Sequence, residues 1–187
     1  MNKNLSIIVF LIIVTMFIRF SFFTRPNRPL APQASASKFD YLSKNSNSSC
    51  SAGFVDSISR MNDAMRMEGS CCSPMVEAKY NEQVEGLKKY KDISEIPADP
   101  YNIPIPQVKQ MLGWQKTIQL TADQQTIYDG AMRMSMEHGP CCCHCWHWLA
   151  YEGLAKRLIT KYNYTSKEVA TVWDLSDGCG GDDHEST

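Results

Sequence analysis

The sequence lacks most of the signatures that mark an enzyme. It has no phosphate-binding glycine loop, no dinucleotide fingerprint and no Ser-His-Asp pattern, so catalysis is not favoured. It has no Cys-x-x-Cys-His, which leaves covalent haem attachment unsupported, and its cysteine spacing is unlike the runs that hold iron–sulfur clusters. The two well-separated ligand pairs of structural zinc sites are also missing. There is no convincing strand pattern. A basic stripe is absent as well. From Lys38 onward the chain carries 15 of its 19 Lys and Arg and all 20 Asp and Glu, a net charge of −5. That balance disfavours nucleic acid and suits a cationic ligand.

What the chain has in abundance is sulfur. Eight cysteines in 187 residues exceed the usual content of a reduced cytosolic protein, and the choice lies between disulfides and metal. Residues 140–148 hold Cys141, Cys142, Cys143, His144, Cys145 and His147, with His138 and Met132, Met134 and Met136 just before them. A bridge between adjacent cysteines is strained, because bridged Cα atoms normally lie about 5.5 Å apart. A disulfide framework spreads its cysteines, whereas this chain concentrates them. Metal is therefore the favoured reading.

Along the chain, residues 5–23 are apolar apart from Arg19 and a few hydroxyls. At about 1.5 Å per residue they nearly span a bilayer core. Residues 1–24 are read as a membrane anchor, with a cleavable signal segment as the rival, since Ala34-Ser35-Ala36 suits a signal peptidase. Residues 25–50, rich in Pro, Ser and Asn, read as a flexible linker that carries the formal sequon Asn47-Ser48-Ser49. Residues 51–187 read as a small, irregular all-α domain. Helices are expected over 52–68, over 74–90 with Ser73-Pro74 as its cap, in a short piece over 107–112 ended by Gly113, over 121–137 capped by Thr121, over 146–161, and in a last helix capped by Thr165 or Ser166. Residues 93–106, with four prolines, read as an extended surface connector, and the tail with His184 as loose.

The stretch 64–72 resembles 131–142: a Met-rich helix end, then glycine, then a cysteine pair. The likeness suggests a duplicated helix–loop–helix that would bring Cys71 and Cys72 to Cys141–Cys145; chance likeness between two helix ends is the alternative. In an extended loop Cys141, Cys143 and Cys145 share one face and would converge on a metal, leaving Cys142 and His144 on the other. Cys145 lies at a helix start, where thiolate is favoured. His147 could join, and Met136 shares a helical face with Met132. The three tryptophans Trp146, Trp148 and Trp173 read as core. Cys179, between glycines, reads equally as a further thiolate, a disulfide partner or a free thiol. Soft thiolate and thioether donors select Cu(I), with zinc as the alternative.

Pro140-Cys141-Cys142-Cys143-His144-Cys145 matches Pro-Cys-x-Cys-x-Cys and so resembles the bacterial PCYCGC-motif family of small exported or membrane-tethered cysteine-rich proteins. Cys142 stands where that family has Tyr and His144 where it has Gly. The resemblance implies an exported metal-binding protein. Arg25, Arg28 and Lys38 pull the other way under the positive-inside rule. The sequence reading is thus a membrane-anchored, single-pass, extracytoplasmic copper-handling protein, whose partners would be the metal ion, the membrane and a metalloprotein or redox protein. Its rivals are a thiol–disulfide redox protein, against which the missing βαβ pattern counts, and an interaction domain stapled by zinc or disulfides.

Overall fold

In the computed structural model, residues 32–51 and 53–181 are described. The proposed anchor, residues 1–24, and His184 lie outside them. The described residues from 35 to 181 form one compact unit. Among the described residues no helix is long and apolar enough to cross a membrane.

The fold is mostly helical. Helix α1 spans Pro32–Lys44, α2 Phe54–Arg60, α3 Glu77–Leu87 with a 3-10 turn Lys88–Tyr90 after it, α4 Ile105–Thr117, α5 Ala122–Met134, α6 Trp146–Tyr162 and α7 Ser166–Ser176. Two short strands, β1 (Arg66–Glu68) and β2 (Asn102–Pro104), pair antiparallel with Met67 opposite Ile103.

Helix α6 is the centre of the core. It packs on α4, and Gly153 makes the crossing close: a Cβ there would overlap the carbonyl oxygen of Met111 and lie 2.7 Å from Gln115 N. Val108, Met111, Ala150, Leu154 and Leu158 fill the interface without solvent exposure. Helix α7 packs against α5 and α3, burying Val169, Val172 and Trp173, and the Trp173 indole donates to Tyr151 O at 3.1 Å. The caps of α5 and α7 follow the sequence. Thr121 accepts from Gln124 N and Thr165 from Glu168 N, each completed by the return bond from the third residue.

Several sequence expectations are corrected. The helix expected over 52–68 ends at Arg60, because the Asn62 side chain accepts Ala64 N at 2.8 Å and Asn62 O accepts Met65 N at 3.0 Å. That turn releases residues 66–68 into a short strand, one of the two in an otherwise helical set of described elements, consistent with the all-α reading. The stretches 64–68 and 131–137 consequently differ in structure, one a strand and the other largely helix, which removes the duplicated helix–loop–helix. Residues 32–44 are helical rather than a flexible tether, and Leu42 is fully buried with Tyr80 and Tyr101. Helix α3 starts at Glu77, since Ser73 and Pro74 pair with the segment after α7 instead of capping it. The connector 93–106 buries Glu95, Ile96, Tyr101 and Ile103 rather than lying on the surface. Helix α4 runs through Gly113 to Thr117. Helix α5 stops at Met134, because Ser135 takes the turn: its carbonyl accepts His138 N and its hydroxyl accepts Gly139 N at 2.8 Å.

Candidate metal centre

Four separate segments carry all eight cysteines to one place. Cys50 arrives on the segment after α1. Asn47 holds that segment along β1: its backbone N–H donates to Glu68 O, its Nδ2 donates to Arg66 O at 2.9 Å, and its Oδ1 accepts Glu68 N at 2.8 Å. The sequon asparagine is therefore a structural clamp. Cys71 and Cys72 follow β1. Cys141 to Cys145 form the loop between α5 and α6, with Cys145 as the N-cap residue of α6.

Cys179 arrives on a strap after α7. Cys71 N donates to Gly178 O, Ser73 N and Ser73 Oγ donate to Cys179 O at 2.8 and 2.9 Å, and Gly181 N donates to Pro74 O. Gly180 sits at φ +80, and a Cβ there would overlap Ser73 O, so only glycine lets the strap lie this close. Below the strap, Asp177 is locked by Lys79 at 3.0 Å, while its carbonyl accepts Gln83 Nε2 and the Tyr101 hydroxyl.

The sulfurs fall into four overlapping groups, each with its members within 4.8 Å of one another: Cys72, Cys142, Cys143 and Cys179; Cys50, Cys143 and Cys145; Cys50, Cys71 and Cys72; and Cys71, Cys141 and Cys179. Five of the eight sulfurs belong to two groups. A metal about 2.3 Å from each of its thiolates holds them roughly 3.7–4.6 Å apart; Cys141 and Cys142 stand closer than that to Cys179, at 2.6 and 2.7 Å, so these sulfurs must spread by about 1 Å to hold one between them. The site has an inner and an outer end. Cys71, Cys141, Cys145 and Cys179 are buried, whereas Cys72 and Cys142 are exposed.

Cys50 and Cys72 form a disulfide, with Cα atoms 6.0 Å apart, and the other six cysteines are free. The Cys143 sulfur lies 3.2 Å from Cys72 Sγ and 3.4 Å from Cys50 Sγ. Thiolate attack on a disulfide needs the nucleophile on the extension of the S–S bond, so that the far sulfur is about 2 Å more distant than the near one. Nearly equal distances place Cys143 abreast of the bond, as the third corner of a triangle. Cys179 Sγ is 2.6 Å from Cys141 Sγ and 2.7 Å from Cys142 Sγ, shared between the two rather than committed to either.

The charge is unevenly placed. Hydrogen bonds from Cys141 and then Cys71 push Cys145 and Cys179 below the ordinary thiol range, against the effect of burial. Cys145 is the N-cap residue of α6, but its side chain makes no cap hydrogen bond, so the neighbouring thiols rather than the helix start lead the shift. Cys141 is pushed up, chiefly through its hydrogen-bonding interactions with Cys145 and Cys179. Burial raises Cys142, and raises Cys143 to about 11.

The structure brings together Cys71, Cys72, Cys141, Cys142, Cys143 and Cys145 from the sequence reading. It does not put Cys141, Cys143 and Cys145 in one group: the loop is not a simple extended strand, and Cys142 points its sulfur into the cluster with them. Cys142 and Cys145 have formal Cys-x-x-Cys spacing, yet they belong to different groups. His144 stacks on Trp148, with ring centroids 3.8 Å apart, and joins no group. His147 is 1% exposed, stacked on Tyr151, and neither ring nitrogen has a hydrogen-bond partner. Met136 lies beyond the end of α5, 58% exposed, in a surface cavity with Glu82 and Leu175 that no cysteine lines. The sequence does not single out Cys50, and it leaves Cys179 open between thiolate, disulfide partner and free thiol. The sequence signal for Cys179 is its glycine neighbours, which permit close backbone approach. Cys50 has no comparable local signal. Comparison with protein-family models, curated proteins and solved structures finds no match for this chain.

Proposed function

We propose that the protein is a copper-handling protein that holds Cu(I) in a cluster of bridged cysteine thiolates. The observation that carries this reading is the overlap of the four sulfur groups. Sulfurs that belong to two groups suit thiolates bridging neighbouring metals, and an all-thiolate donor set selects Cu(I) over harder ions. His147 is a buried imidazole with both nitrogens free of partners, but it joins none of the four sulfur groups. Storage or delivery suits a site with a buried inner end and an exposed outer end. Electron transfer through a thiolate-bridged copper pair would use the same residues. A metalloprotein or redox protein would be the partner.

The extracytoplasmic placement and single-pass anchor rest on residues 5–23 and on the likeness of residues 140–145 to the PCYCGC-motif family. Zinc is the second reading, favoured by the group Cys72, Cys142, Cys143 and Cys179, which supplies the four thiolates of a structural site.

The test is elemental analysis of the full chain, purified anaerobically, beside a Cys71→Ser/Cys141→Ser/Cys179→Ser variant. Copper at one or more equivalents, diminished in the variant, supports the reading. Zinc alone replaces it with a structural site, and metal-free protein in both samples overturns it.

A further inference from the structure

The Cys50–Cys72 disulfide occupies sulfurs that the metal groups need. Of the four groups, three contain Cys50, Cys72 or both, and only Cys71, Cys141 and Cys179 are untouched by the bond. A disulfide sulfur carries no thiolate charge and is a poor ligand. The chain therefore has one thiol group complete in either redox state and three that require reduction.

We propose that the protein has two tiers of metal site: a permanent inner site at Cys71, Cys141 and Cys179, and conditional outer sites around Cys143 that come into being when the Cys50–Cys72 disulfide is reduced. This inference rests on the copper reading and adds its regulation. Three features support it. First, Cys72 is exposed and Cys50 partly so, and exposed disulfides are the labile, regulatory ones, whereas the inner group is buried throughout. Second, Cys143 already stands 3.2 and 3.4 Å from the two bonded sulfurs, so breaking the bond leaves three sulfurs in a triangle without rearranging the loop. Third, the Cys50 sulfur lies 2.9 Å from Cys71 O, an acceptor in place for the thiol that reduction creates.

The reductant is a dithiol. The bond between Cys50 Sγ and Cys72 Sγ breaks, two electrons and two protons pass from the dithiol to the pair, and the dithiol closes into its own disulfide. Cu(I) then displaces protons from the new thiols as it binds. Copper capacity thereby follows the redox poise of the compartment.

The experiment uses the full chain under anaerobic conditions, in two forms verified by thiol counting: the disulfide form with six free thiols, and a form reduced with a water-soluble phosphine and desalted, with eight. Each is titrated with Cu(I) against bathocuproine disulfonate. The reduced form is expected to take at least twice the copper equivalents of the disulfide form. A Cys50→Ser/Cys72→Ser variant is expected to stay at the lower value with or without phosphine. Equal capacity in both forms of the native chain overturns the two-tier site while leaving the copper reading standing. No copper in either form overturns both. Because the comparison is made on the native sequence, a variant that fails to fold does not decide it.

Discussion

Replacing Gly180 with alanine tests the link between the backbone and the cluster. Gly180 adopts φ +80, and its missing Cβ would overlap Ser73 O and stand 2.9 Å from Pro74 O. The substituted chain has two ways to respond. It can keep the strap closed, at about 1–2 kcal/mol for a left-handed alanine and about 1–3 kcal/mol for forced contact in a packed site. Or it can release the strap and forfeit four hydrogen bonds, those of Cys71 N, Ser73 N, Ser73 Oγ and Gly181 N, at about 0.5–1.5 kcal/mol each. Either way stability falls by about 2–5 kcal/mol. The second route also withdraws Cys179 from both groups that contain it. Urea unfolding reads the first effect, and Cu(I) capacity reads the second. A Gly180→Ala protein with native unfolding midpoint and native copper capacity would falsify the account of the strap.

Two other glycines should respond in opposite directions despite both lying in helices. At Gly113 a Cβ meets nothing within 4 Å, so Gly113→Ala is expected to raise stability by about 0.5–1 kcal/mol, while Gly153→Ala, overlapping Met111 O, is expected to lower it by more than that; thermal unfolding of the pair checks the sign. Opening the Cys50–Cys72 loop, 22 residues apart in sequence, should cost the metal-free protein about 3 kcal/mol, seen as a lower urea midpoint for Cys50→Ser. Burial would raise the Glu95 pKa, yet hydrogen bonds from Lys161 at 2.5 Å and Tyr162 at 2.7 Å hold it down to about 2. A depressed carboxylate stabilises above its ordinary value near 4.5 and loses that contribution as pH falls toward 2, so the deficit of Glu95→Gln should be full at neutral pH and vanish over that window. Filling the inner site must strip protons from thiols, and those of Cys71 and Cys141 are raised; Cu(I) affinity should therefore weaken on acidification by about 10-fold per pH unit for each proton displaced, and a pH-independent affinity would exclude this ligand set.

The parts of the fold legible in the sequence are those decided within a few residues. Thr121 with Gln124 and Thr165 with Glu168 are reciprocal caps whose donors and acceptors lie three positions apart, and both helices begin where those pairs put them. Helix α6 was legible from its apolar spacing and the break before it. The strands were not. Residues 66–68 acquire a strand because Asn102–Pro104 lies alongside them, and Arg66 binds Asn102 through both its side chain and its backbone oxygen. That partner is 36 positions away, and no local propensity announces it. The same holds for Ser73-Pro74, a sound helix start on local grounds, whose donors are taken by Cys179 from 106 positions away.

The candidate site divides along the same line. The density of residues 141–145 marks a sulfur site by composition alone, and the likeness of 64–72 to 131–142 points Cys71 and Cys72 toward it. Their proximity is real but has another cause. Cys71 reaches the cluster because β1 ends at Glu68 and the chain then pairs with the strap, not because a second helix–loop–helix faces the first. The inner ligands therefore depend on contacts made across the whole domain: α7 must dock for Cys179 to meet Cys141. The Cys50–Cys72 pair depends on less, since Asn47 clamps its segment to β1 and the disulfide ties Cys50 to the residues just after that strand. A fold built this way secures its inner thiols by global stability and leaves its outer ones to local chemistry, so partial unfolding around α7 should empty the inner site while the Cys50–Cys72 pair stays in place.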